Sequence, residues 1–132
     1  MRAFVSRGGI SMAHILVVDD DETVRTFAGR MLEFAGHTVS RATGGREALA
    51  LLEIRKPDLI LSDIKMPEID GLDLFREVRL CYPELPFIGM SGDFSKIYAD
   101  VPFDAFLSKP FGLDDLTRTV EEALAGQMLV LN

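Results

Sequence analysis

Apolar and polar positions alternate along this chain in two rhythms. His14 to Val18 reads HILVV, an apolar run that stops abruptly at Asp19, Asp20 and Asp21. Such a run suits a strand buried on both faces of a parallel sheet. Next, Val24, Phe27, Ala28, Met31, Leu32 and Ala35 recur three or four apart, as on one stripe of a helix, and Gly36 is placed to end it. The alternation then repeats. A second strand is predicted over 37–42, a turn over 43–45 and a short helix over 46–54. Pro57 precedes a doubly buried run, Asp58 to Ser62, which ends at Asp63. Gly71 opens a helix bearing Leu72, Phe75 and Val78, closed before Pro83. Phe87 to Met90 predicts a fourth strand ending at Ser91-Gly92, and Asp104 to Leu107 a fifth ending at Ser108-Lys109-Pro110. Leu113, Leu116, Val120 and Leu124 share one face of a last helix, with Asp114 and Asp115 in the first turn, where the dipole favours them.

Strand and helix alternating about five times argue for an α/β sandwich with a parallel sheet and right-handed crossovers. No repeat or linker divides the chain, so one domain is expected over 13–126, behind a loosely ordered leader at 1–12 and before a short tail at 127–132. A hydrophobic share of 48% fits an ordinary globular core. The net charge of -7 repels a phosphate backbone, which argues against direct nucleic-acid binding. A single cysteine, Cys81, forms no internal disulfide, so a cytoplasmic setting is expected. No apolar stretch is long enough for a membrane span, and the leader lacks the apolar block of a signal peptide.

In open parallel sheets, ligands gather outside the carboxyl ends of the strands. The predicted strand ends carry Asp19, Asp20 and Asp21, then Asp63, then Ser91-Gly92, then Lys109. Crowded carboxylates are hard to keep ionised without a counter-ion, and a hard divalent cation such as magnesium resolves this. A lysine and a hydroxyl across the site suit the oxygens of a transferring phosphoryl group, and Asp63 remains as a nucleophile able to form an acyl phosphate. Each residue taken alone has a plainer reading. Asp21 reads as the N-cap of the first helix. Asp63 alone would be a loop aspartate before the turn at Pro67 and Asp70-Gly71, Lys109 a surface lysine, Phe106 a core aromatic and Ser91-Gly92 a turn. His14, His37 and Cys81 lie away from the strand ends and read as structural.

Four stretches, ILVVDDDETVR, PDLILSDIKMPEIDGLDL, FIGMSG and FLSKPF, together resemble the receiver domain of two-component response regulators over about residues 13 to 125. The resemblance implies a flavodoxin-like three-layer sandwich, a five-stranded parallel sheet of order 2-1-3-4-5 with helices on both faces. It implies that Asp63 accepts a phosphoryl group and binds magnesium, with Asp20 a direct ligand, Asp19 acting mainly through water and Lys65 supplying a backbone carbonyl. Ser91 matches the switch hydroxyl, Lys109 the lysine that pairs with the phosphoryl group, and Phe106 the rotating aromatic. The Lys109-Pro110 bond matches a cis peptide. The implied donor is a histidine kinase or histidine phosphotransfer protein. The implied output is a conformational signal to a protein partner, in the manner of a stand-alone, chemotaxis-type regulator rather than a multiple-turnover enzyme.

One stretch departs from the family. Lys109 follows Ser91 by only eighteen positions, and the segment between them holds Pro102 and little helical periodicity, so the fourth helix is expected to be short, irregular or absent. Lys65 and Asp93 each stand two residues past a motif residue and are expected to pair across the site. Two other classes compete. An aspartyl-phosphate phosphatase would carry a second aspartate where this chain has Lys65, and a scaffold with the same fold would not need the full charged set.

Overall fold

The computed structural model describes residues 12–92, 98 and 100–131, with side chains described through Gly126. Its elements run β1 (His14–Val18), α1 (Glu22–Phe34), β2 (Thr38–Ala42), α2 (Gly45–Ile54), β3 (Leu59–Asp63), α3 (Gly71–Cys81), β4 (Phe87–Ser91), β5 (Ala105–Ser108) and α4 (Leu113–Leu131). All strand pairs are parallel, in the order β2-β1-β3-β4-β5.

Period-two alternation sorts the strand side chains between two cores. Ile15 and Val17, with Leu59, Leu61, Ile88 and Met90, pack under α1 and α4 through Ala28, Leu32, Leu116, Val120 and Leu124. Leu16, Val18, Ile60 and Phe87 pack on the other side under α2 and α3, through Ala48, Leu52, Leu74, Phe75 and Val78. β1, β3 and β4 are buried along their whole length, which is why their sequences read as apolar runs with polar residues only at their ends. β2 and β5 lie at the sheet edges and are only partly buried.

Between Gly92 and Ala105 no α-helix occurs among the described residues, and Tyr98 lies in a 3-10 turn. Residues 93–97 and 99, among them Asp93 and its expected pairing with Lys65, lie outside the described residues. Among the described residues, an aromatic ring covers the sheet here. The Phe103 ring packs edge-on to Phe75 at 4.9 Å and stacks with Phe87 at 5.7 Å. It sits where a Cβ on Gly89 would meet it at 2.9 Å, so the glycine makes room for the ring. A polar clip fixes the end of this connection. Asp104 Oδ2 accepts the Phe87 N–H at 2.7 Å and an Arg79 guanidinium N–H at 2.5 Å, and Arg79 also donates to the Leu85 carbonyl at 2.6 Å.

At the other end of the chain the final helix continues through Leu131, so residues 127–131, read from sequence as a tail, have helical backbone. Gly126 costs the helix about 1 kcal/mol relative to alanine but lacks a following proline to stop it. Of the expected leader, only Met12 lies among the described residues.

Both histidines are buried at the amino end of the sheet, remote from the strand ends that carry the acids. His37 Nδ1 accepts the Ala13 N–H at 3.2 Å, which places the ring proton on Nε2. Burial lowers the His37 pKa, with the Glu121 carboxylate opposing. The neutral ring is therefore favoured by folding. Its contribution is complete above the ordinary value of 6.5 and declines as pH falls through the lowered value. In urea unfolding at about pH 7.5 and 5.5, wild type should lose more stability on acidification than His37→Asn, whose amide oxygen can still accept the Ala13 N–H. Equal losses would remove His37 from the acid response.

Candidate functional site

Each apolar strand stops where a polar residue emerges at the carboxyl edge of the sheet, and the parallel register brings those ends together. Val18 pairs with Ser62 and Asp63 with Met90, while Ser91 pairs with Ser108. Asp19, Asp20, Asp63, Ser91 and Lys109 therefore converge on one edge. Lys109 Nζ lies 2.9 Å from Asp19 Oδ2 and 3.2 Å from Asp63 Oδ1, crossing from β5 to β1 and β3. Single carboxylate oxygens of Asp19, Asp20 and Asp63 all lie within 4.8 Å of one another. Asp19 is 0% exposed and Asp63 8%, whereas Asp20 faces solvent. Two buried carboxylates thus share one ammonium, with the exposed Asp20 carboxylate beside them.

The electrostatics follow from that count. Burial raises the pKa of Asp63, the Asp19 carboxylate adds to the rise, and the charge and hydrogen bond of Lys109 oppose it. For Lys109, burial acts to lower the pKa, but the hydrogen bond and charge of Asp19, then those of Asp63, outweigh it and the net shift is upward. A hard cation fits this donor set, because oxygen ligands from one or two carboxylates are what magnesium prefers and its charge would relieve the crowding.

Local contacts aim the carboxylates. Asp19 Oδ1 accepts the Asp21 N–H at 2.9 Å, and Asp63 Oδ1 accepts the Ile64 N–H at 3.0 Å. Asp21 caps α1, its side chain accepting from the Thr23 and Val24 amides. The Lys109-Pro110 peptide is cis, and the Lys109 N–H donates to the Ser91 carbonyl at 2.9 Å. Ser91 is buried at the end of β4. Lys65 is exposed in the loop after β3. Phe106 does not join the cluster. It is 39% exposed on β5, with its ring stacked beside Tyr98 at 6.5 Å.

Two contributors escaped the sequence reading. Gly71 begins α3 so close to β3 that a Cβ there would lie 2.3 Å from the Asp63 carbonyl oxygen, and its N–H donates to the Ile64 carbonyl at 2.7 Å. The Asp-Gly pair signals a turn but not what lies against it. Arg25, on the first turns of α1, donates from Nη1 to the Asp19 carbonyl at 2.8 Å. A cation so near a helix N-terminus opposes the dipole, and that was the available signal.

A family profile described as response regulator receiver domain matches residues 15–121. The chain belongs to the response regulator receiver family. Among relatives, the receiver is 41% identical over 121 residues to the sensor kinase CckA of Brucella abortus, covering 87% of this chain and 13% of the kinase. It is 38% identical over 116 residues to the transcriptional regulator NtrC of Salmonella typhimurium, covering 84% of this chain and 24% of NtrC. The chain thus spans well under half the length of these two relatives. Among solved structures, a CheY-like receiver domain protein from Methanospirillum hungatei superposes with a TM-score of 0.83 at 31% identity, covering 91% of this chain and 99% of that one. The receiver domain of NtrX from Brucella abortus gives 0.78 at 34% identity, covering 84% and 98%. No helix among the described residues is long and apolar enough to cross a membrane.

Proposed function

We propose that this receiver is a phosphoacceptor switch that takes a phosphoryl group onto Asp63 from a phosphohistidine on a histidine kinase or histidine phosphotransfer protein. The observation that carries this reading is the Lys109 ammonium held between Asp19 and Asp63, with Asp20 completing an oxygen cluster. Asp63 Oδ1 is anchored by Lys109 and the Ile64 N–H, so Oδ2 is its reacting oxygen. A bond forms between that oxygen and phosphorus as the phosphorus–nitrogen bond of phosphohistidine breaks. The electron pair returns to the imidazole, which is protonated from solvent. Asp19, Asp20, Asp63 and the Lys65 carbonyl would hold magnesium, which when bound supplies neutralisation of charge on the phosphoryl oxygens. Lys109 pairs with one of those oxygens and Ser91 hydrogen-bonds another. The phosphoryl group, carrying about -1.5 to -2 in place of the single carboxylate charge and offering three acceptor oxygens, draws both inward. Phe106, now at the surface beside Tyr98, turns in behind them and alters the face around β4, β5 and α4 that a protein target reads. On this reading the protein works in the cytoplasm, is a switch rather than a turnover enzyme, and contacts no nucleic acid directly through this domain.

Labelling by radioactive acetyl phosphate should therefore require magnesium. Chelation with EDTA is expected to reduce it to background, and undiminished labelling would refute the metal's part.

A protein donor is favoured over a small phosphate ester by the surface next to Lys109. A cleft of about 420 Å³ lined by Thr23, Val24, Phe27, Lys109, Pro110 and Phe111 lies there, and Phe27 is 54% exposed within it. Phe27→Asp should slow transfer from a phosphorylated protein donor roughly tenfold or more, the loss expected for an apolar anchor, yet leave acetyl-phosphate labelling unchanged. Parallel losses with both donors would argue against docking at this cleft.

A further inference from the structure

The three acidic side chains of the site are not aimed in the same way. Asp19 is held through its carboxylate by the Asp21 N–H and by Lys109, and Asp63 by the Ile64 N–H and by Lys109. Among the described residues, no hydrogen bond reaches the Asp20 carboxylate, which is also the most exposed of the three. Its direction must come from its own backbone. Asp20 is joined to Asp19 by a planar peptide, so whatever fixes the Asp19 carbonyl fixes the plane from which the Asp20 side chain departs. The side chain that grips this carbonyl is Arg25, through Nη1 at 2.8 Å.

We infer that Arg25 is a positioning residue for magnesium, holding the Asp19–Asp20 peptide so that the Asp20 carboxylate is preset toward the cluster. The inference rests on the magnesium reading given above. The rest of the geometry agrees with it. α1 carries Arg25 one turn past its N-cap, the Arg25 N–H bonding the Asp21 carbonyl at 2.9 Å, so the guanidinium is delivered from a regular helix rather than from a loop. The Asp19 N–H is tied to the Ala42 carbonyl at 3.2 Å, which restrains the preceding peptide as well. A cation this close to a metal would by charge alone weaken its binding, so the benefit of Arg25 has to be geometric. Lysine keeps the charge but lacks the planar fork that meets the carbonyl, and this separates the two effects.

Calorimetric titration of the metal-free protein with magnesium chloride tests the inference. Arg25→Lys should raise the magnesium Kd roughly tenfold, the loss typical when a group orienting a metal ligand is removed. In an Asp20→Asn background the same substitution should change the Kd by less than about twofold, because there is no longer an Asp20 carboxylate to aim. Arg25→Gln, compared in both backgrounds, provides a second variant should lysine perturb folding. An equal effect of Arg25→Lys with and without the Asp20 carboxylate, or none in either, overturns the positioning role. If Asp20→Asn alone leaves magnesium affinity intact, it is the reading of the metal site that fails, and the role of Arg25 falls with it.

Discussion

Lys109→Met is expected to cost about 2–3 kcal/mol of stability in metal-free buffer, because it leaves buried carboxylates facing one another without their cation. Asp19 is fully buried and Asp63 nearly so, and both place an oxygen on the same ammonium. The figure is set below that for a fully buried pair because the lysine side chain is 21% exposed and Asp20 faces water. Magnesium should stabilise the variant more than wild type, since a second cation then takes over the neutralisation that lysine supplied. Urea unfolding in EDTA and in excess magnesium measures both quantities. A loss below about 0.5 kcal/mol, the range of ordinary surface substitutions, would mean that Lys109 does not balance the cluster.

Asp63→Asn is expected to have two effects of opposite value. Labelling by acetyl phosphate should disappear, because the amide is no nucleophile. Stability in EDTA should rise. The pKa of Asp63 is raised from 3.8, first by burial and then by Asp19, so the ionised carboxylate is disfavoured by folding. A group shifted upward contributes stability below its unfolded pKa and loses it as pH climbs through the folded value. Once pH has climbed past the raised value wild type has lost that contribution, and the neutral asparagine avoids the loss. The gap between variant and wild type should open as pH rises above the ordinary carboxylate range and close in acid. Retained labelling would move the acceptor elsewhere, and a variant less stable at neutral pH would deny that the carboxylate is crowded. A destabilised constellation is what a site arranged for chemistry is expected to show.

Much of this was legible in the sequence because the physics of a parallel sheet is local. A strand buried on both faces is mostly apolar, so HILVV and LILS announced themselves, and the polar residues that follow them are those of the candidate site. The edge strands, partly buried, gave weaker signals, and the expected fifth strand began one residue early at Asp104. Asp104 instead spends its side chain on the Phe87 amide and Arg79. The shortened connection before Lys109 was visible as a residue count and a proline. That Phe103 would fill the space over Gly89 was not, because it depends on contacts between segments. The same limit hid Arg25 and Gly71. Their roles lie in what a side chain or a missing Cβ meets across a turn, and periodicity carries no information about that.

The receiver's relatives include a kinase and a transcription regulator of which it matches only a part. The chemistry proposed for the domain can therefore be tested apart from the message it delivers. That chemistry reduces to one claim, that the cluster around Lys109 makes the carboxylate of Asp63 the phosphoryl acceptor. Its most direct test is to treat wild type with acetyl phosphate, trap the acyl phosphate by borohydride reduction and map the modified residue by peptide mass spectrometry, with magnesium and with EDTA. Modification at Asp63 alone, and only with magnesium, is the predicted result. Modification at another residue, or equal modification in EDTA, would contradict it.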